Sequence, residues 1–188
     1  MPMKKYILDT SVFVNPASRK SFGKGPDEAV KAFIKLAKKR TDIAFYMPPL
    51  IFRELKTFIK KKNAEDLELV VKKRSPNLYG IYLPAAVMYE FIDDIRVRMD
   101  KGLRLAEQFA QDNRPDNAVK LKHLREKYRS ALRAGILDSK EDFELLMLAK
   151  ELDATVVSSD EGVLNFADDV GCERLNAARL YKAIKNKS

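Results

Sequence analysis

Short apolar segments alternate with helix-spaced segments along most of this chain, and this alternation constrains its fold more than any other feature. Residues 5–14, 43–47 and 154–158 contain apolar runs that end in polar or proline-containing turns, as buried strands do. Residues 26–40 and 50–61 instead repeat apolar side chains at the spacing of amphipathic helices. Strands that alternate with helices predict an α/β sandwich with a mostly parallel sheet.

The remaining segments extend the same pattern. Residues 64–74 are predicted to form a short helix, and residues 75–80 form a break because they contain proline, asparagine and glycine. A helix is expected over residues 137–152, directly before the strand at 154–158. Residues 173–175 form a last strand-like segment, which a terminal helix follows.

Two long helices interrupt the alternation. Residues 84–111 carry an apolar stripe, and a second helical segment, residues 117–134, follows a turn that contains Pro115. Consecutive long helices joined by a short turn predict an αα-hairpin that protrudes from the rest of the chain. The expected organisation is therefore an α/β domain formed by residues 1–80 and 135–188, with residues 81–134 inserted as the hairpin.

The charge balance favours a polyanionic partner. Lys plus Arg number 36 and Asp plus Glu number 27, which gives a net charge of +9. Clustered cations bind nucleic acid by releasing counterions from its phosphates, although basic surfaces also serve solubility. No segment has the length and apolar character of a membrane span or the features of a signal peptide, so we expect no membrane association.

The scarcity of histidine and cysteine excludes several catalytic classes. His123 is the single histidine, in a helical segment rich in lysine and arginine, and Cys172 is the single cysteine. Ser-His-Asp and Cys-His sites and Cys/His zinc sites are therefore disfavoured, and carboxylates are the best candidates for catalysis. One cysteine cannot form an internal disulfide, which makes a reducing, cytoplasmic location the expectation.

Acidic residues recur where a parallel sheet binds ligands, beyond the carboxyl ends of its strands. Asp9 and Asp160 each follow a predicted strand, and Glu54 lies early in the helix after another. Asp138 and Asp142 are four residues apart at the start of a helix and share one face. We therefore expect these carboxylates to converge on one edge of the sheet.

Each acidic residue also has a purely structural interpretation. Asp9 can close a strand through an Asx turn, Asp138 or Ser139 can cap a helix, and so can Asp160. Capping does not, however, require several carboxylates at one edge, where their charges repel one another unless a cation lies among them. Mg²⁺ or Mn²⁺ suits such a site because hard divalent ions prefer carboxylate oxygens.

Four short motifs, taken together, resemble those of PIN-domain nucleases. They are ILDTS at residues 7–11, the segment 48–54 that ends in Glu54, the D-x-x-x-D spacing of residues 138–142, and VVSSD at residues 156–160. In the last motif many family members have Thr-Asn-Asp, whereas this chain has Ser158 and Ser159 before the aspartate. The resemblance implies a three-layer α/β/α sandwich. It also implies that Asp9, Asp138, Asp142 and Asp160 are catalytic metal ligands, with Glu54 as a further ligand or a residue that supports one.

The chain resembles one branch of that family more closely: the minimal protein-only RNase P proteins called HARP (homologs of Aquifex RNase P), whose relatives are also known as RNA ligase partner proteins. The chain length, the VFVNP sequence at residues 12–16 and the inserted hairpin fit this branch. The resemblance implies Mg²⁺-dependent removal of the 5′ leader from precursor tRNA. It further implies a homo-oligomer assembled from dimers through the hairpin, a dodecamer in the family.

The second hairpin helix has two adjacent stripes. Its apolar stripe and the stripe of the first helix, which includes Met88, Phe91, Ile95 and Met99, either pack within the chain or bind another subunit. The basic stripe is either an ordinary solvated face or a contact surface for RNA phosphates. The apolar stripe comprises Leu121, Leu124, Tyr128 and Leu132, and the basic stripe comprises Lys122, Arg125, Arg129 and Arg133.

The sequence alone leaves two alternative functions open. A toxin-type PIN endoribonuclease shares the chemistry but cuts other RNAs, and such proteins are usually shorter and lack so long a hairpin. A non-catalytic RNA-binding partner of an RNA ligase would share the basic surface, but a protein that only binds phosphates gains nothing from converging carboxylates.

Overall fold

A computed structural model describes residues 3–112, 117–133 and 139–185 of the chain. The chain divides into two compact units. The first, here called the α/β unit, comprises Met1–Tyr82 and Ser139–Ser188, and the second, the helical unit, comprises Leu83–Asp138.

The described part of the α/β unit contains a five-stranded parallel sheet in the order β3-β2-β1-β4-β5. The central strand β1 pairs on both sides, with Ile7 opposite Tyr46 of one neighbour and Val156 of the other. The strands are β1 (Lys4–Leu8), β2 (Ile43–Met47), β3 (Val71–Lys73), β4 (Thr155–Ser158) and β5 (Arg174–Asn176).

The chain leaves β1 towards β2 and β3 on one side and later returns to place β4 and β5 on the other side. The direction of winding therefore reverses between β1 and β4, and a crevice opens there beyond the carboxyl ends of the strands. The helices of the two units are α1 (Ser11–Val14), α2 (Pro16–Arg19), α3 (Pro26–Ala37), α4 (Pro49–Leu55), α5 (Lys61–Glu68), α6 (Ala85–Ala110), α7 (Asn117–Arg133), α8 (Lys140–Leu152), α9 (Glu161–Asp169) and α10 (Ala177–Lys185).

Helices cover the sheet, and most of the apolar residues in its central strands β1, β2 and β4 are buried beneath them. On one side Phe33 of α3 packs edge-on against Phe13 and Phe45, with ring centroids 5.2 and 5.0 Å apart. The consecutive residues Leu145 to Ala149 of α8, which packs against β1 and β4, are all at most 2% exposed. The predicted α/β sandwich with a parallel sheet is thus confirmed, and its core is rigid enough to fix the strand ends.

Three local predictions were wrong. The helix expected over residues 50–61 ends at Leu55. Residues 71–73 form strand β3 rather than the end of a helix, because Val71 pairs with Phe45 and is 1% exposed. A strand of three residues is too short to show alternation, so only its pairing with β2 reveals it. Residues 11–14 were included in the first strand segment, but they form helix α1, which turns the chain away from the sheet directly after Asp9 and Thr10.

In the helical unit, α6 and α7 pack against each other as antiparallel helices. The Lys120 ammonium donates to the Asp112 carbonyl at 2.8 Å, and the Lys127 ammonium lies 5.7 Å from the Phe109 ring centroid. A Cβ on Gly102 would lie 2.6 Å from the Tyr128 ring, so this glycine leaves room for the ring between the two helices.

The predicted turn between the two helices falls at residues 113–116, outside the described residues. Within the described ranges, no helix combines the length and apolar character needed to cross a lipid bilayer.

Candidate active site

A cleft of about 940 Å³ lies at the carboxyl edge of the sheet, where the winding direction reverses. Its lining combines acidic and hydroxyl side chains with apolar ones. The residues that line it are Asp9, Thr10, Ser11, Val14, Asn15, Pro16, Leu50, Ile51, Arg53, Glu54, Thr57, Phe58, Ser139, Glu141, Asp142, Ser159 and Asp160.

Asp9 is the most deeply placed carboxylate of the cleft. It follows β1, is 8% exposed, and its backbone N–H donates to the Val157 carbonyl at 3.0 Å. Its Oδ2 accepts hydrogen bonds from the hydroxyls of Ser11 at 2.5 Å and Ser158 at 2.6 Å. These contacts hold the carboxylate between the ends of β1 and β4.

Burial raises the pKa of Asp9 above its usual value. The Ser11 and Ser158 hydroxyls and the Thr10 amide oppose this rise by stabilising the ionised form, whereas the negative charge of Glu54 adds to it. A nearby cation would favour the ionised carboxylate.

Asp160 lies at the end of β4 and caps helix α9. Its Oδ1 accepts from the backbone amides of Gly162 at 2.7 Å and Val163 at 3.2 Å, and its own amide donates to the Ser158 hydroxyl at 3.0 Å. Its Oδ2 accepts no hydrogen bond from a described residue. The capping interpretation of this aspartate is therefore correct, and it is compatible with a second role for the other oxygen.

Glu54 and Asp142 come to the cleft from helices rather than strand ends. The Thr10 hydroxyl donates to Glu54 Oε2 at 2.7 Å, which ties α4 to the end of β1. Ser139 is the N-cap of α8: its hydroxyl donates to Asp142 Oδ2 at 2.7 Å and accepts from the Asp142 amide at 3.0 Å. Ser139, one of the two N-cap candidates in the sequence, therefore caps α8 and fixes its first turn.

The cleft brings together four of the five carboxylates singled out from the sequence. Asp9, Glu54, Asp142 and Asp160 all line it, whereas Asp138 lies outside the described residues. Among the described residues no three acidic, histidine or cysteine side chains form a group that could hold a metal ion by itself.

Several supporting side chains were not predicted. The hydroxyls of Thr10 and Ser158 could not be selected from the sequence, because their partners Glu54 and Asp9 are 44 and 149 residues away. Ser11, in contrast, binds Asp9 only two residues away. Ser158 and Ser159, which replace the Thr-Asn of many family members, both have partners at the site. Ser158 donates to Asp9, and the Ser159 hydroxyl accepts from the Asn15 side chain at 3.0 Å. Glu141 lines the cleft as well, as a further acidic residue that was not among the predicted ligands.

The donor chemistry of the cleft fits a hard divalent cation. Five carboxylates line it, and among the described lining residues Arg53 is the only one with a positive charge. Such an excess of negative charge repels an RNA phosphate unless a cation neutralises part of it. Carboxylate and hydroxyl oxygens are the ligands that Mg²⁺ and Mn²⁺ prefer.

The basic stripe lies in the helical unit. Lys122, Arg125 and Arg129 are exposed and line a shallow groove on α7, beside Ala118, Leu121 and Glu126. The structure does not describe the side chain of Arg133, the fourth predicted member of the basic stripe. It does not describe the side chain of Leu132 either.

Comparisons with known proteins identify relatives of this chain. The family model of PINc domain ribonucleases matches residues 5–187. The chain is 47% identical over 187 residues to an RNA-free ribonuclease P of Pyrococcus horikoshii, covering 97% of this chain and 92% of the relative. It is 49% identical over 186 residues to that of Pyrococcus furiosus, covering 97% and 93%. It is 39% identical over 188 residues to that of Halorhodospira halophila, covering 98% and 91%.

Proposed function

This chain belongs to the PINc domain ribonuclease family, together with the RNA-free ribonuclease P proteins it resembles along nearly their whole length, and from this membership we propose that it is a protein-only ribonuclease P. Its reaction is the hydrolysis of one phosphodiester bond in precursor tRNA, which releases the 5′ leader. The observation that supports this best is the convergence of Asp9, Glu54, Asp142 and Asp160 on one cleft at the carboxyl edge of the sheet.

The proposed catalytic residues are Asp9, Asp138, Asp142 and Asp160. They would hold Mg²⁺, or Mn²⁺ in its place, with Glu54 as a further ligand or a residue that supports one. A divalent ion bound there supplies Lewis acidity, which neutralises charge on the phosphate and makes a water molecule more acidic. The chain itself contributes the orientation of the ligands.

That orientation comes from the hydroxyls and amides around each carboxylate. Ser11 and Ser158 fix Asp9, and Ser139 fixes Asp142, through hydrogen bonds of 2.5–2.7 Å. Asp160 is fixed through the amides of α9. Ligands that are already oriented lose little conformational entropy when an ion binds.

The proposed RNA-binding surface is the basic stripe, Lys122, Arg125, Arg129 and Arg133. Three of its members are described, and all three are exposed along one side of α7. An arginine guanidinium matches phosphate geometry through two parallel hydrogen bonds, which suits it to an RNA backbone. If the stripe binds tRNA, Arg125→Ala combined with Arg129→Ala weakens binding and flattens its dependence on salt.

Self-association through the helical unit is the proposed quaternary state, with dimers that assemble further. Met88, Ile92, Ile95 and Met99 recur along α6 and are 38–67% exposed, as is Phe91 at 39%. An exposed apolar stripe of this length is unusual on the surface of a monomeric protein. Light scattering coupled to gel filtration tests this: a mass several times the 21.5 kDa of the chain supports it, and a monomer contradicts it.

The function is tested by cleavage of a 5′-labelled precursor tRNA. We expect a single labelled leader fragment in Mg²⁺, no product in EDTA, and no turnover by Asp142→Asn despite tRNA binding close to that of the wild type. Cleavage of unrelated RNAs without a discrete leader product would favour the toxin-type ribonuclease. Binding without any cleavage by the wild type would favour a non-catalytic partner of a ligase.

A further inference from the structure

Besides its carboxylates, the cleft is lined by apolar side chains and by an exposed aromatic ring. It contains Val14, Leu50 and Phe58. The Phe58 side chain is 46% exposed, whereas Phe13 and Phe33 of the same unit are fully buried. An isolated exposed apolar residue needs no explanation, but this ring lies in the cleft that holds the proposed catalytic residues.

The backbone holds Phe58 firmly at this position. It follows α4 in a turn in which its N–H donates to the Leu55 carbonyl at 3.0 Å, and the next residue, Ile59, is only 8% exposed. Glu54, four residues earlier, is tied to Thr10 at 2.7 Å. The core side chains and this hydrogen bond anchor the turn, so the ring stands at the cleft without help from a ligand.

Arg53 adds a positive charge to the same region. It precedes Glu54 on α4, is exposed, and forms no ion pair with any described residue. A guanidinium that lines an otherwise acidic cleft is suited to a phosphate that enters it, because its planar fork donates two hydrogen bonds to phosphate oxygens.

We infer that Phe58 stacks on the base of the leader nucleotide next to the scissile bond and that Arg53 binds a phosphate of the leader. The inference rests on the proposed function, and it assigns the Phe58 ring to the leader rather than to mature tRNA. Bases of a duplex are already stacked on their neighbours, whereas a single-stranded nucleotide has a free face for an aromatic ring. Neither residue is a metal ligand; both position the substrate.

The stacking is tested by pairing protein variants with a modified substrate. Phe58→Ala is expected to lower kcat/KM on precursor tRNA roughly 5- to 150-fold, the range that follows from the loss of one stacked base, and Phe58→Tyr to retain most activity. Leu69→Ala, which removes a 72% exposed side chain that does not line the cleft, serves as the matched control with unchanged kcat/KM.

The decisive comparison uses a precursor whose first leader nucleotide lacks its base. The wild type should then fall to the rate of Phe58→Ala, and Phe58→Ala should lose nothing more. If Phe58→Ala and removal of the base lowered the rate independently, so that their effects multiplied, the stacking would be overturned. A Phe58→Ala variant as active as the wild type would also overturn it. A loss that follows removal of the first base of mature tRNA instead would overturn the assignment to the leader.

The phosphate contact is tested in the same assay. Arg53→Ala should raise KM and reduce the salt dependence of binding, whereas Lys56→Ala, one turn further along and outside the cleft, should do neither. Equal effects of the two variants would refute the role of Arg53. A failure of the proposed function is distinguishable from these outcomes, since the wild type would then release no leader from the unmodified precursor.

Discussion

Asp160 is predicted to have two roles that a single substitution can separate. As the N-cap of α9, it uses Oδ1 to accept from the amides of Gly162 at 2.7 Å and Val163 at 3.2 Å. As a proposed metal ligand, it uses its negative charge. Asparagine keeps a carbonyl oxygen at the capping position but has no charge, whereas alanine removes both.

The expected magnitudes follow from these contacts. Asp160→Ala should lower the free energy of unfolding by about 1 kcal/mol, or roughly 2–4 °C in melting temperature for a chain of this size. Asp160→Asn should lose only the interaction of the charge with the helix dipole, about 0.3–1 kcal/mol. Both variants should lose more activity than the roughly 10- to 100-fold drop typical of residues that only support a ligand.

The two roles are measured separately. Thermal unfolding, monitored by circular dichroism, reports the capping role, and leader release under saturating Mg²⁺ reports the metal-binding role. Asn176→Ala is the matched control: Asn176 Oδ1 accepts from the Ala178 amide at 3.0 Å at the start of α10, and Asn176 does not line the cleft. It should lose stability and keep its activity. If Asp160→Asn cleaved as fast as the wild type, Asp160 would be a helix cap and nothing more.

Two further substitutions test the hydrogen bonds around the site and the core. Burial raises the pKa of Asp9 and the Ser158 hydroxyl opposes that rise, so Ser158→Ala should raise it further and move the acidic limb of the pH–rate profile to higher pH; an unmoved limb would contradict this. Arg40 is 8% exposed, donates to Asp42 at 2.7 and 2.8 Å, and also donates to the Ile184 carbonyl. Arg40→Met should therefore lower the free energy of unfolding by about 1–3 kcal/mol in urea titrations, and an unchanged midpoint would show that these bonds contribute nothing.

The sequence was most informative where a local pattern and a global rule coincide. The apolar runs that end at Asp9 and Asp160 are strands β1 and β4, and these two strands flank the point where the winding reverses. The parallel arrangement then requires both aspartates to share one edge. The same rule, applied to the helices that begin at this edge, predicted that Glu54 and Asp142 lie there too.

Features that depend on contacts distant in sequence could not be predicted. The hydroxyl of Ser158 binds Asp9, 149 residues away, and no short pattern encodes that pairing. Strand β3 forms because its backbone pairs with β2. Its three residues have no strong intrinsic preference for the strand conformation. The exposure of Phe58 is equally a property of the folded cleft, since phenylalanine side chains are more often buried.

The central claim is that carboxylates from separate elements of the fold together bind a divalent ion. Mn²⁺ binding to the RNA-free protein, followed by electron paramagnetic resonance, measures this directly. We predict that Asp9→Asn weakens Mn²⁺ binding at least about tenfold, whereas Asp168→Asn, which alters an exposed aspartate paired with Arg174 outside the cleft, leaves it unchanged. Equal Mn²⁺ affinities for the wild type and Asp9→Asn would contradict the claim.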